Sequence, residues 1–271
     1  PATEAAPFDL PQGRTPVSLA ETAIKLRYRL IPDHLLGEIL SKRWSDNAIP
    51  FFLLIVLILT MGSMVSNYYT VYNLTDTSRQ LGEFGLVTLA MMIVLVSGGI
   101  DLSVSSVFAL ANITALALLS VAEWPLAVVI PATLVVGAFV GAINGALIGY
   151  LKLRAFLTTL VTLIIVRSVV DWLILKYSVA IAGSFYDNDI WYFIGDGDIF
   201  GIPFSFCVLA VIALVLHIML TRLRLGLRIM AVGGSRRSAH NMGLAVPRIV
   251  MVTYIMSGTL AALAGTLFAA R

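Results

Sequence analysis

Apolar residues in this chain gather into long unbroken runs rather than the short alternations of a soluble core. Roughly 20 helical residues cover the ~30 Å hydrocarbon core of a bilayer, and runs near that length recur. They fall at residues 48–66, 84–119, 125–150, 156–177, 202–220 and 249–270. The run at 84–119 is interrupted by Gly98-Gly99-Ile100-Asp101-Leu102-Ser103, and each half is short for a complete span. That stretch therefore reads as two helical pieces with a break, forming either two crossings or one span plus a half-helix. The expected fold is all-α: a polytopic transmembrane helical bundle of seven apolar segments, with residues 1–47 as a polar tail and 48–271 as the membrane domain.

Composition supports this picture and removes several alternatives. The 271 residues are 59% hydrophobic and 12% charged, with a mean hydropathy of +0.95. An ordinary soluble domain is about half apolar and about a quarter charged, so neither a soluble globule nor a disordered chain fits. The net charge of +3 is too small for a nucleic-acid footprint, so no nucleic-acid partner is expected. Cys207 is the single cysteine, which leaves no disulfide framework and no thiolate metal site. His34, His217 and His240 are far apart and no HExxH occurs, so no metal is expected. No Gly-Lys dipeptide exists, so a phosphate-cradling P-loop is absent and no cofactor is expected on this chain.

The ionisable residues orient the spans, because positively charged loops stay in the cytoplasm. Arg14, Lys25, Arg27, Arg29, Lys42 and Arg43 lie in the tail, which lacks the apolar core of a secretory leader. Lys152 and Arg154 precede the run at 156–177, and residues 221–248 hold six arginines and no acid. The link at 177–202 has the opposite sign, with Asp187, Asp189, Asp196 and Asp198. Seven crossings place the basic regions on one side, with the N-terminus cytoplasmic, and require the 98–103 break to lie toward that side or at a re-entrant point.

Several residues are candidates for chemistry. Asp101 is a carboxylate at membrane depth, where such groups face the bundle interior or a water-filled cavity. Two readings stay open: a broken helix beside a translocation path, or a turn in which Asp101 or Ser103 caps the next helix. Gly137, Gly141, Gly145 and Gly149 recur every four residues, a stripe suited to close helix approach, with Asn144 beside it able to hydrogen-bond across or line a path. Arg167 and Asp171, four apart, are expected to pair within the bundle and reduce each other's burial cost, in a packing role rather than as a substrate contact. In the basic link, Ser235 to Asn241 has the form of a short capped helix, with Gly243 as its stop and Pro247 opening the next span. Ala231, Val232, Met242, Leu244 and Val246 around it are more apolar than a free loop needs, which fits a docking surface for a cytosolic partner.

Gly98-Gly99-Ile100-Asp101-Leu102-Ser103-Val104-Ser105 resembles the signature of the membrane permease subunits of bacterial sugar ABC importers, the group of the ribose, xylose and galactose systems. Gly141-Ala142-Ile143-Asn144-Gly145, leading to Leu153-Arg154-Ala155-Phe156-Leu157, is similar to that family's next block. The link from Ala231-Val232-Gly233-Gly234 to Asn241-Met242-Gly243, followed by the stretch from Ser257 to Gly265, is similar to the third. Ser105 stands where family members commonly have Gly, and members continue past the block ending near Gly265, so further C-terminal spans of the family are expected to be missing.

The resemblance implies an inner-membrane subunit, not itself an enzyme, that moves a monosaccharide while separate ATP-binding subunits hydrolyse ATP. It also implies a second permease subunit, homomeric or heteromeric, and a periplasmic sugar-binding protein. The docking loop for the ATPase is then Gly233, Gly234, Ser235, Arg236, Arg237, Ser238, Ala239, His240, Asn241 and Gly243, a coupling helix with its flanks. Asp101, Ser103, Asn112 and Asn144 are the translocation-path candidates. The alternatives are an ion-coupled secondary transporter using Asp101 and a purely structural membrane scaffold.

Overall fold

A computed structural model describes residues 45–66, 68–183 and 188–271. These residues form ten helices and one two-stranded hairpin, in two units, Pro1–Tyr68 and Tyr69–Arg271. The first unit contributes α1 (Ser45–Met64), apolar from Ala48 onward and interrupted only by Pro50. The expected tail at 1–47 lies outside the described residues except for the three that begin α1.

The second unit holds α2 (Val71–Val96), α3 (Val104–Ser120), α4 (Leu126–Gly149), α5 (Ala155–Ala182) and α6 (Asp189–Asp196). A hairpin follows, β1 (Asp198–Ile199) antiparallel to β2 (Ile202–Pro203), then α7 (Phe204–Arg222), α8 (Arg224–Gly234), α9 (Arg236–Asn241) and α10 (Val246–Ala269). Among the described residues five helices are long and apolar enough to span a membrane: α2, α4, α5, α7 and α10. The 17-residue α3 is shorter, about 25 Å at the helical rise.

The interrupted run resolves differently from the expected pair of short halves. Helix α2 begins thirteen residues before the apolar run, at Val71, and is a full 26-residue span. Its polar first turns hold themselves helical. Thr70 Oγ1 accepts the Asn73 N–H, Ser78 Oγ donates to the Leu74 carbonyl, and Gln80 Nε2 donates to Asp76. Polar residues here encode a helix end, a pattern that hydropathy alone reads as a loop.

Helix α10 forms the centre of this unit. Of its most apolar stretch 61% is buried, against 17–33% in the other four long spans. Glycines bring α4 onto it: a Cβ at Gly145 would lie 2.7 Å from Met251 Cα, and one at Gly149 2.7 Å from the Pro247 carbonyl oxygen. A Cβ at Gly137 or Gly141 would collide with the carbonyls of Gly258 and Tyr254, and one at Gly265 with the Phe108 carbonyl of α3. Backbones that approach this closely gain dispersion contacts that larger residues would block.

These contacts fix which loops share an end. Gly149 of α4 meets Pro247 at the start of α10, and Gly98 after α2 meets Gly233 at the end of α8. The 98–103 break, the Lys152–Arg154 link, α8 and α9 therefore lie at one end. At the other, Gly195 of α6 touches Ala270 and Arg79 of α2 reaches Asp196. Basic and acidic loops are thus segregated, apart from Asp187, which is outside the described residues.

Candidate functional site

The break between α2 and α3 is a buried polar clamp. Gly98 takes φ +74°, a left-handed turn that stops α2 without side-chain strain. Three residues on, Asp101 is turned into the bundle and is 4% exposed. Its Oδ1 accepts the Ser103 backbone N–H at 3.0 Å and the Ser103 hydroxyl at 2.6 Å, while Oδ2 accepts the Ser257 hydroxyl of α10 at 3.0 Å. Asn144 of α4 donates to Ser103 Oγ at 2.9 Å and accepts from Thr162 of α5 at 2.6 Å. The Ile100 carbonyl receives the Tyr254 hydroxyl of α10 at 3.1 Å and the Thr159 hydroxyl of α5 at 3.4 Å.

Three helices, α4, α5 and α10, therefore converge on six residues of loop. Asp101, Ser103, Asn144, Ser257 and Tyr254 are all buried, so hydrogen bonds to protein replace those to water. In a low-dielectric interior such a network holds only when its members are satisfied. Of the four path candidates the structure brings Asp101, Ser103 and Asn144 together. Asn112 lies further along α3, half-buried, and makes no side-chain hydrogen bond among the described residues.

The clamp abuts the basic turn. A Cβ at Gly98 would sit 3.2 Å from the Gly233 carbonyl oxygen, and one at Gly233 would collide with the Val96 carbonyl. Helix α8 is amphipathic, with Gly226, Ile229 and Val232 buried. Ser235 then caps α9, its Oγ accepting the Ser238 N–H at 3.2 Å. Gly243, at φ +78°, ends the turn, and Pro247 stands in the first turn of α10. Gly234 has open space around it. Within α9 only Ala239 is buried; Arg236, Arg237, Ser238, His240 and Asn241 are exposed. Lys152, Arg236, Arg237 and His240 share one cleft against Pro247 and Val250.

Sequence reasoning missed three features. Helix α8 falls in a stretch whose polarity reads as loop, although its buried positions at 226, 229 and 232 keep helical spacing. Tyr254 and Ser257 complete the clamp from α10; Tyr254 carries no signal except as a polar residue on the buried face of an apolar run, and Ser257 only its place at the start of the third block. At the opposite end Arg79 pairs with Asp196 at 3.1 Å, and Arg271 pairs with Asp76 and stands 3.7 Å from Glu83. Glu83 is 1% exposed, and its Oε2 has no hydrogen-bond partner among the described residues. Asp76, Arg79 and Glu83 occupy one helical face that only the early start of α2 reveals.

One expectation is corrected. Arg167 and Asp171 do pair, Nε to Oδ1 at 3.2 Å, but their side chains are 60% and 56% exposed. They lie on the outward face of α5, because Val166 and Val170 occupy its buried face.

A family model described as branched-chain amino acid transport system / permease component matches residues 73–271. The chain is similar to the ribose import permease protein of Haemophilus influenzae, 32% identical over 222 residues, 82% of this chain and 68% of that protein. It is also similar to two Escherichia coli proteins. The galactofuranose transporter permease protein is 34% identical over 239 residues, covering 84% of this chain and 67% of its own length. The D-allose transport system permease protein is 34% identical over 223 residues, covering 82% and 67%. No solved structure matches.

Proposed function

This chain belongs to the family of the permease component of branched-chain amino acid transport systems, and we propose that it is the membrane-spanning subunit of an ATP-driven importer carrying a monosaccharide across the bacterial inner membrane. The family description mentions amino acids, but the similar proteins over more than four-fifths of the chain are named for ribose, galactofuranose and allose. That agreement carries the choice of a sugar. The chain supplies a path and a docking turn; a cytosolic ATP-binding partner hydrolyses ATP, a periplasmic binding protein delivers the sugar, and a second permease subunit completes the path. The basic end of the bundle, with the N-terminus, faces the cytoplasm.

Coupling in this reading is mechanical. The exposed side of α9, Arg236, Arg237, Ser238 and His240, is offered to the ATPase. Movement of α9 reaches Gly233, whose backbone rests on the end of α2, and from there the 98–103 loop. The clamp ties that loop to α4, α5 and α10, so a shift of the turn is shared by three spans instead of dissipating in one loop. Asp101, Ser103 and Asn144 thereby transmit motion, with their polar atoms already committed to protein partners. An ion-coupled carrier using Asp101 is not favoured, since the carboxylate already accepts three hydrogen bonds and is 4% exposed.

The test is co-purification followed by reconstitution. The full chain, expressed from its native locus, should bring down an ATP-binding subunit in stoichiometric amount. Vesicles holding both, supplied with the receptor and ATP, should accumulate labelled monosaccharide. Uptake at full rate without the ATPase, driven by an ion gradient, would overturn the proposal.

A further inference from the structure

The outward face of α5 carries an ion pair where a lipid-facing surface should be apolar. Between Ala155 and Leu175 the only ionisable residues are Arg167 and Asp171. They sit near the middle of the 28-residue helix, with the apolar Phe156 and Ile164 on the exposed surface before them. Charged side chains at that depth almost always face a bundle interior or a water-filled cavity. Here neither surrounds them, since the pair is more than half exposed in this bundle. The first apolar helix, free of charged residues from Ala48 to Met64, offers no partner charge.

The pair is also incomplete as hydrogen-bond chemistry. A guanidinium has five N–H donors and a carboxylate about four acceptor positions, and one contact at 3.2 Å uses one of each. No further partner exists among the described residues, and hydrocarbon supplies none. Water, or hydroxyl groups that donate and accept at once, would satisfy the remainder. The opposite flank of α5 is of another kind: its groove against α4 is lined by Val140, Ile143, Leu147, Leu157, Val161 and Ile165, suited to an apolar occupant.

We infer that Arg167 and Asp171 face the aqueous route and contact the hydroxyls of the passing sugar. The inference rests on the import reading and assigns a solute-contact site within it. The pair is net neutral, so it offers a polyhydroxylated solute paired donors and acceptors without holding an ion. Outside the bundle core it also avoids the enclosure that would trap the cargo.

The experiment uses the full transporter with ATPase and receptor in vesicles, in a Cys207→Ser background. Arg167→Cys, Asp171→Cys and Ser168→Cys are labelled with a charged, water-soluble methanethiosulfonate, with Leu214→Cys on α7 as the apolar-surface control. Labelling at 167 and 171 should run at least tenfold faster than at 214 and slow when sugar-loaded receptor is cycling. Ser168→Cys, which leaves the pair in place, gives the same readout should either charge variant fail to reach the membrane. In parallel, Arg167→Gln should lower the sugar moved per ATP hydrolysed at least fivefold, while Arg167→Lys retains most of it. A packing role would instead lower the melting temperature of both. Labelling no faster than at 214 would overturn the inference by showing a lipid-facing pair. Slow labelling with disulfides between two copies would overturn it by showing a sealed subunit contact. Fast labelling with unchanged sugar per ATP would remove the solute contact. If the unsubstituted transporter shows no ATP-dependent uptake, the import reading itself has failed, a result separate from these.

Discussion

Replacing Asp101 with alanine tests the clamp most directly. The carboxylate accepts three hydrogen bonds, from the Ser103 N–H, the Ser103 hydroxyl and the Ser257 hydroxyl. Ser103 Oγ is already engaged by Asn144, so it cannot turn freely to a new acceptor. Asp101→Ala therefore strands at least the Ser103 N–H and the Ser257 O–H, at about 1–3 kcal/mol for each buried donor. Removing a carboxylate from membrane depth offsets part of this, by about 2.5–3.5 kcal/mol on the lenient insertion scale. The net expectation is a loss of about 1 kcal/mol, at about 2–4 °C per kcal/mol a fall of about 2–4 °C in melting temperature. Asp101→Asn keeps the shape and one acceptor oxygen, so it should lose less than half as much. The assay is the fraction of monodisperse protein on size exclusion after heating in one detergent. An Asp101→Ala protein that melts with the parent would refute the clamp, because three buried hydrogen bonds cannot disappear without consequence if they fix the loop and hold it to α10.

Gly141→Leu should destabilise the bundle by about 1–3 kcal/mol through overpacking against α10, read as lower detergent stability, whereas Gly234→Ala, with open space around it, should leave stability unchanged. Gly233→Ala pushes a methyl into the Val96 carbonyl and should lower both stability and ATP-coupled uptake, a combination Gly234→Ala should not reproduce. Ser103→Ala and Asn144→Ala share one hydrogen bond, so a double-mutant cycle on melting should give a coupling of about 0.5–3 kcal/mol; additivity would show the bond to be idle. Arg271→Ala leaves the buried Glu83 carboxylate without its nearest cation and should be strongly destabilising, by about 3–5 kcal/mol as for other broken buried pairs. Glu83→Gln in that background should recover part of the loss, and a double variant worse than Arg271→Ala alone would contradict the pairing.

The spans were legible because burial in lipid needs only apolar length, which a sequence displays directly. Their ends were less so. Helix α2 reaches back through Asn73, Asp76 and Arg79, where side chains bond within the helix and to the 196 region, so polarity marked an anchored end and not a loop. Helix α8 is hidden for the converse reason: its buried face is only Gly226, Ile229 and Val232, too narrow to stand out among Arg222, Arg224, Arg228, Arg236 and Arg237. The spacing of Gly137, Gly141, Gly145 and Gly149 specified a face of α4, but nothing in that spacing says which helix meets it; tertiary packing chose α10.

The clamp shows where local pattern stops being informative. Asp101 and Ser103 stand two apart, and their hydrogen bonds to each other follow from sequence separation alone. Asn144, Thr162 and Ser257 lie 41 to 156 residues from their partners in this network or one helix away, and are brought in only by the bundle's packing. Reading Asp101 by itself leaves an expensive carboxylate whose natural use is to meet solute or ion. Adding Ser257 and Asn144 supplies its partners and turns that expense into a fixed point between spans. The same logic runs in reverse for Arg167 and Asp171: four apart on one helix, they look complete as a pair. On the outward face of α5 they are left with most of their hydrogen-bonding capacity unmet. Burial thus exchanges the roles that sequence assigns. The lone acid is the one the fold satisfies, and the paired charges are the ones still open to a partner.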